Sequence, residues 1–243
     1  MSGNTGYAEI ATFFRQKITD GTLAPGDKMP THKQVREQFG ASIATVNRAF
    51  QMLKAEGLTA ARVGQGTTVA ERPRVAATAT ARLRRISRTG QPYGPKERSV
   101  DHDARLLSCA DPEIADELGV ELHDEILVRR RVFMNGNVRT IASFSFIQPR
   151  GWAAVPEILS PEPLGRFWQK DYTERTGRTP VKLPERQSAR LAYPYELAML
   201  GVDSPPNAAV PVLVLANVFH DEDGPLECWR DVYAPGLWRV DEQ

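Results

Sequence analysis

The chain has 243 residues, 41% of them hydrophobic and 25% charged, with a formal net charge of +1. This length holds two ordinary domains with cores of useful size, and the composition is that of a globular protein, not a disordered or membrane-embedded one. Two cysteines without a CxxC, four scattered histidines and no run of roughly 18 apolar residues exclude a disulfide framework, a structural zinc site and a spanning helix.

The first 16 residues, MSGNTGYAEIATFFRQ, lack a basic segment followed by an apolar run, so no secretory signal is expected and the cytoplasm is the expected location. Tyr7 to Asp20 puts Ile10, Phe13, Phe14 and Ile18 on one face of a predicted helix. A turn-rich connector, GTLAPGDKMP, follows. Thr31 and Gln34 form a capping box for a second helix that stops at Gly40. Ser42 caps a third helix after a turn of about three residues, the spacing of a helix-turn-helix. Val46, Ala49, Phe50 and Leu53 form its buried stripe, and Gly57 ends it. Leu58 to Arg62 and Thr67 to Val69 are extended runs about Gly64-Gln65-Gly66, a hairpin signal. Helix, helix-turn-helix and hairpin in this order predict a winged helix over residues 1–71.

Charge supports a nucleic-acid partner for this half. Residues 1–100 hold 16 Lys and Arg against 7 Asp and Glu, whereas residues 101–243 hold 15 against 23. Burying the apolar stripe of the third helix turns Ala44, Asn47, Arg48 and Gln51 toward a major groove. Asn47 suits adenine, and Arg48 suits guanine or a phosphate. Ser42 and Thr45 sit at the helix N-terminus, where free backbone N–H groups suit a phosphate oxygen, and Lys33 lies near the start of the preceding helix. Gly64, Gln65 and Gly66 would let the wing approach the minor groove. Any one of these side chains, taken singly, is better explained as solvated surface; the case rests on their falling together.

Residues 72–98, rich in Arg, Ala, Thr, Pro and Gly, hold eight basic residues and one acidic residue and show no sustained apolar period. Residues 72–96 are therefore expected to be a basic linker. From 97 to 243, short helices and strands alternate. Ile114–Leu118, Leu164–Thr176 and Pro194–Leu200 are predicted helices, each followed by a glycine. Glu125–Phe133 and Val138–Ile147 are predicted strands about an Asn-Gly-Asn turn, Glu185–Leu191 is extended, and Val210–Phe219 returns through Leu226–Tyr233. The expected class is α+β, with a mixed or antiparallel sheet in the C-terminal domain. Alternation in that sheet puts Arg129 and Arg131 on one face and Arg130 on the other. Three arginines in an apolar strand call for partners, either Glu227 or a ligand carboxylate or phosphate.

These segments resemble a known family. The PG-x-K-x-P entry, the F-G-x-S-x-x-T-V turn, the L-x-x-E-G-L exit and the G-x-G-T wing, over about residues 5–71, resemble the DNA-binding domain of GntR-family regulators. The motifs LGV…ILVRRRVF, LAMLGV and DGPLE…VYAPGLWRV, over roughly residues 97–240, resemble the UTRA ligand-sensing domain of the HutC subfamily. The resemblance implies a chorismate-lyase-like sheet domain, a homodimer on a pseudo-palindromic operator, and a repressor released by a small-molecule effector; the strand arginines make a polar or anionic effector the expectation. It implies effector contacts from a strand arginine, Glu227 and Tyr233. Counting back from Gly136 favours Arg130, whereas the R-x-R pattern favours Arg129 and Arg131, the pair adopted here. A second-strand glutamate of the family's sugar-phosphate sensors is replaced by Ala142 or Ser143, which argues against such an effector and leaves Ser143 as the polar group there. Ile43 and Asn47 stand where the family often has arginine, so operator sequence does not carry over. No metal, cofactor or catalytic residue is expected. The alternatives are a ligand-independent DNA-binding protein and a DNA-tethered enzyme with a lyase-like domain; no nucleophile–base pair supports the latter.

Overall fold

The computed structural model describes residues 5–62, 66–70, 78–89, 93–94, 96–205 and 208–236. In chain order, α1 (Tyr7–Thr19), α2 (His32–Phe39) and α3 (Ile43–Ala55) precede β1 (Thr59–Arg62) and β2 (Gly66–Val69). Then come α4 (Ala79–Thr89), β3 (Glu97–Ser108), α5 (Pro112–Leu118), β4 (Glu125–Asn135) and β5 (Val138–Ile147). Next are α6 (Pro149–Ala154), a single 3-10 turn (Pro156–Leu159), α7 (Trp168–Thr176), β6 (Val181–Lys182) and β7 (Arg186–Leu191). The chain finishes with α8 (Pro194–Leu200), β8 (Pro211–Asp221) and β9 (Gly224–Tyr233). No helix among the described residues is long and apolar enough to cross a membrane.

The chain divides into two compact units. The first holds α1–α3, the β1–β2 hairpin and α8. Its core is Ile10, Phe14, Val35, Val46, Ala49, Phe50, Leu53, Leu58 and Val69. The helix boundaries follow from local chemistry. Gln34 N–H donates to the Thr31 hydroxyl while Gln34 Oε1 accepts from Thr31 N–H at 2.8 Å, so two end donors of α2 are satisfied. Gly40 ends α2 at φ 61°, and the Ser42 hydroxyl accepts from Thr45 N–H at 3.1 Å to open α3. Residues 191–212 also belong to this unit: Leu197 of α8 and Val210 pack against Ala55 at the end of α3. The expected boundary at residue 97 did not anticipate this return.

The second unit is built on a seven-stranded sheet of order β3-β4-β5-β9-β8-β6, with β7 also on β8. The pairs β3–β4, β4–β5, β5–β9, β8–β9 and β6–β8 are antiparallel. Alternation along the strands separates two faces. One carries Ile126, Val218 and Cys228 against Ile114, Ala115 and Leu118 of α5. The other carries Leu127 and Ile147 against Ile158, Trp168 and Tyr172, and Phe219 and Trp229 against Ala79 of α4. Arg150 pins α6 to the β8–β9 turn: its guanidinium donates to Asp221 at 2.7 Å and to the Gly224 and Pro225 carbonyls.

Three expectations need correction. Residues 79–89, expected within the linker, form α4, with Ala79 and Arg82 buried. Ala79, Arg82, Leu83 and Ile86 do fall at helical spacing; an arginine in the stripe hides the period from an apolar count. β3 runs for 12 residues where no strand was expected, because its sequence, ERSVDHDARLLS, is mostly polar and none of its residues is fully buried. The helix expected from Leu164 begins at Trp168, and residues 164–167 form an irregular approach.

Candidate functional site

The first unit offers an exposed helical face. Ala44, Asn47, Arg48 and Gln51 are exposed on α3, opposite its buried stripe, and Thr45 is half-buried. Ser42 and Thr45 share a hydroxyl contact of 2.8 Å at the helix N-terminus. The Arg48 guanidinium lies 4.0 Å from the centre of the Tyr7 ring, so a cation–π contact holds it at the edge of this face. Lys33 is exposed on α2. Gly66 is exposed with φ 80°, whereas Gly64 and Gln65 lie outside the described residues. Asn47, Gln51 and Lys54 line a shallow groove with His32, Thr59 and Thr67. Lys54 and His32 were missed by sequence reasoning. Lys54 stands seven residues after Asn47, on the same helical stripe, and that spacing was the available signal.

The second unit contains a cavity of about 150 Å³ on the face of the sheet that α4 covers. Arg129 and Arg131 of β4, Ser145 of β5, and Glu227 and Trp229 of β9 line its floor. Arg82 and Ile86 of α4 and residues 163–168 close its sides, with Phe133 and Phe167 among the walls. Arg130 points to the other face, where it meets Asp103 at 3.0 Å. Ser143 and Tyr233 are buried but do not line the cavity; Ser145, two residues along β5 from Ser143, does. His102, also missed, lines the cavity and is held below its ordinary pKa by burial and by Arg131 and Arg129.

The two cavity arginines differ. Arg129 is 5% exposed, and its guanidinium donates to the carbonyls of Ile158, Ser160 (2.6 Å) and Glu162 (3.1 Å). Burial, then the neighbouring Arg131 charge, lowers its pKa to about 10. Arg131 has no hydrogen-bond or ion-pair partner among the described residues; its guanidinium lies 5.3 Å from the Phe133 ring centre. Burial, reinforced by Arg82, pushes its pKa down. Arg82 is buried in an ion pair with Asp231 and lies 4.1 Å from the same Phe133 ring. Burial opposes its charge, but the Asp231 carboxylate outweighs that and leaves its pKa raised.

Glu227 is fully buried. Its Oε2 accepts from the Trp168 indole at 3.1 Å and the Gln169 amide at 2.6 Å. Its Oε1 has no hydrogen-bond partner among the described residues, and neither has the Trp229 indole N–H. Burial pushes the Glu227 carboxyl up, against the opposing pull of Gln169, Trp229, Ser145 and Arg131, none of which brings a donor into hydrogen-bond geometry with Oε1.

Residues 6–69 match the family of bacterial regulatory proteins known as the gntR family. The chain is similar to the mannosyl-D-glycerate transport/metabolism system repressor MngR of Escherichia coli K12: 28% identity over 122 residues, 50% of this chain and 40% of MngR. The chain thus spans less than half of that relative. It is also similar to the HTH-type transcriptional regulator GgaR of E. coli K12, with 23% identity over 233 residues, 93% of this chain and 88% of GgaR. The crystal structure of a GntR-family transcriptional regulator superposes with a TM-score of 0.53 at 23% identity, covering 98% of this chain and 96% of that one. That likeness shows the fold: a winged helix-turn-helix unit and an α+β sheet unit in one chain.

Proposed function

We infer, from a chain whose residues 6–69 are a gntR-family DNA-binding domain, that this protein is a sequence-specific transcriptional repressor released from its operator by a small polar ligand. The observation that carries this reading is a division of labour. One unit exposes Asn47 and Gln51 on a capped helix suited to a major groove. The other encloses a cavity that holds an arginine with no hydrogen-bond or ion-pair partner, and a carboxylate with one oxygen unsatisfied, among the described residues. Polar groups left in that state are costly, and a ligand that completes them recovers the cost. Ser42, Thr45, Arg48 and Lys33 contact phosphates, Asn47 and Gln51 read bases, Ala44 packs against the groove, and the wing at Gly64, Gln65 and Gly66 follows the backbone. Arg131 and Glu227 hold the ligand. Arg129 braces the cavity floor, and Ser143 and Tyr233 support it from the same face of the sheet.

The protein acts in the cytoplasm as a homodimer on two half-sites and performs no chemistry on its ligand. MngR, its relative over half the chain, is named a repressor. The test is selection of bound fragments from genomic DNA by the full chain. Recovered fragments should share an inverted repeat whose half-site centres lie about one helical turn or a multiple apart. Fragments with no shared sequence would defeat the reading.

A further inference from the structure

The floor of the cavity has a polarity set by strand register. Arg131 on β4 pairs with Ser143 on β5, which pairs with Asp231 on β9. Arg129 pairs with Ser145, which pairs with Trp229, and Glu227 lies two residues from Trp229 on the same face of β9. Cations therefore stand on β4 and anions on β9, with serines between them on β5. The position opposite Arg131 on β9 is Asp231, and Glu227 lies four residues further along, so the Arg131 and Glu227 backbones stand two strand spacings across and four residues along, roughly 16 Å apart, a gap that their long side chains narrow from both ends.

Most of these charges are already matched. Arg129 is occupied by three carbonyls, Arg82 by Asp231, and Arg166 at the rim by Asp171 and Glu174. Lys170 is exposed at the mouth, in water. Among the described residues, two ionisable groups on the floor remain open, the Arg131 guanidinium and Glu227 Oε1, beside the unpartnered indole N–H of Trp229. One is a cation and the other an acid, and they form no ion pair with each other, so a single ligand that carries both charges can satisfy both. Between and around them stand Phe133, Phe167, Trp168 and Trp229, flat faces suited to an apolar body or to a cation. The cavity volume matches that of engineered cavities that accept benzene.

We propose that this cavity takes a small zwitterion, whose carboxylate lies on the Arg131 guanidinium and whose ammonium group lies on Glu227 Oε1, with a short apolar body between them. The assignment rests on the reading of this unit as a ligand sensor and specifies the ligand's class. The rival is a simple anion bound while Glu227 is protonated and donates to it. A substitution separates the two. Glutamine mimics a protonated Glu227: it removes the attraction for an ammonium group but preserves binding of an anion.

The experiment is calorimetric titration of the full chain with para-(aminomethyl)benzoate, gamma-aminobutyrate and delta-aminovalerate. Their one-charge relatives para-toluate, benzylamine, butyrate and valerate are run alongside. At least one zwitterion should bind on the order of ten-fold more tightly than either of its relatives, the value of one charge-assisted hydrogen bond. Glu227→Gln should abolish the advantage over the acid, and Arg131→Gln the advantage over the amine. Circular dichroism of each variant checks folding, and Arg131, which is half-buried with no hydrogen-bond or ion-pair partner among the described residues, is the safer substitution. Tighter binding of an acid than of its zwitterion, undiminished zwitterion binding by Glu227→Gln, or binding of no zwitterion overturns the assignment. Release of selected DNA by a one-charge acid would leave the regulator reading standing while the zwitterion falls. A zwitterion that binds without changing DNA affinity would do the reverse.

Discussion

Arg129 and Arg131 stand two residues apart on one face of β4, and single substitutions should separate them by several kilocalories. Arg129 donates three charge-assisted hydrogen bonds to the carbonyls of Ile158, Ser160 and Glu162. Each such bond contributes roughly 1.5–3 kcal/mol. Ser160 and Glu162 are exposed, so water can replace the guanidinium at their carbonyls, whereas Ile158 is fully buried. Arg129→Ala should therefore cost on the order of 3–4 kcal/mol, nearer two full bonds than three. Arg131 has no such partner among the described residues, and its charge is opposed by burial. Arg131→Ala removes a cation that no hydrogen bond or ion pair among the described residues holds, and should cost under about 1 kcal/mol, or stabilise the unit. Urea unfolding followed by tryptophan fluorescence reports mainly on this unit, which holds Trp152, Trp168 and Trp229 of the chain's four tryptophans. With a slope of roughly 1–3 kcal/mol per molar urea, the midpoint should fall by more than about 1 M for Arg129→Ala and hardly move for Arg131→Ala. Equal losses, or a larger loss at Arg131, would refute the assignment of a bracing role to one and a ligand role to the other.

Further expectations concern pH, salt and base preference. Because the Glu227 carboxyl is held above its ordinary value, the folded state binds more protons than the unfolded one in the window from 4.5 upward. Stability should accordingly fall as pH rises through that window, and Glu227→Gln should flatten the dependence and be the more stable at neutral pH; a wild-type curve that rises there would contradict the burial argument. Lys33→Ala should reduce the slope of log K against log salt by about 0.9 per half-site, and an unchanged slope would remove Lys33 from the interface. Asn47→Ala should relax preference at one base position per half-site at a cost on the order of 1–3 kcal/mol, measured by competition among operator variants; uniform weakening would make Asn47 a positioning residue.

The winged helix was legible because its signals are local. A capping box at Thr31 and Gln34, a cap at Ser42 and glycines at 40 and 57 fix each boundary within a few residues. The strands from Glu125 to Ile147 were legible for the same reason, through alternation and an Asn-Gly turn. What escaped depends on distant partners. Arg82 makes α4 look like a polar linker until Asp231, 149 residues away, is seen to pair with it. Alternation places Arg129 and Arg131 on one face but cannot separate their roles, because the carbonyls that occupy Arg129 begin 29 residues along the chain. Ser143 and Tyr233 share that face yet stand off the cavity, since cavity shape is set by α4 and residues 163–168, whose positions no periodicity encodes.

The coupling between the two units is the central claim, and a reciprocal titration tests it most directly. A genome-selected DNA fragment is titrated with the full chain, with and without a saturating compound that stabilises the protein, and that compound is then titrated into free and DNA-bound protein. The account predicts that the compound weakens DNA binding, that DNA weakens compound binding by the same factor, and that Arg131→Gln removes both effects. DNA affinity left unchanged by every compound that binds the cavity would contradict it.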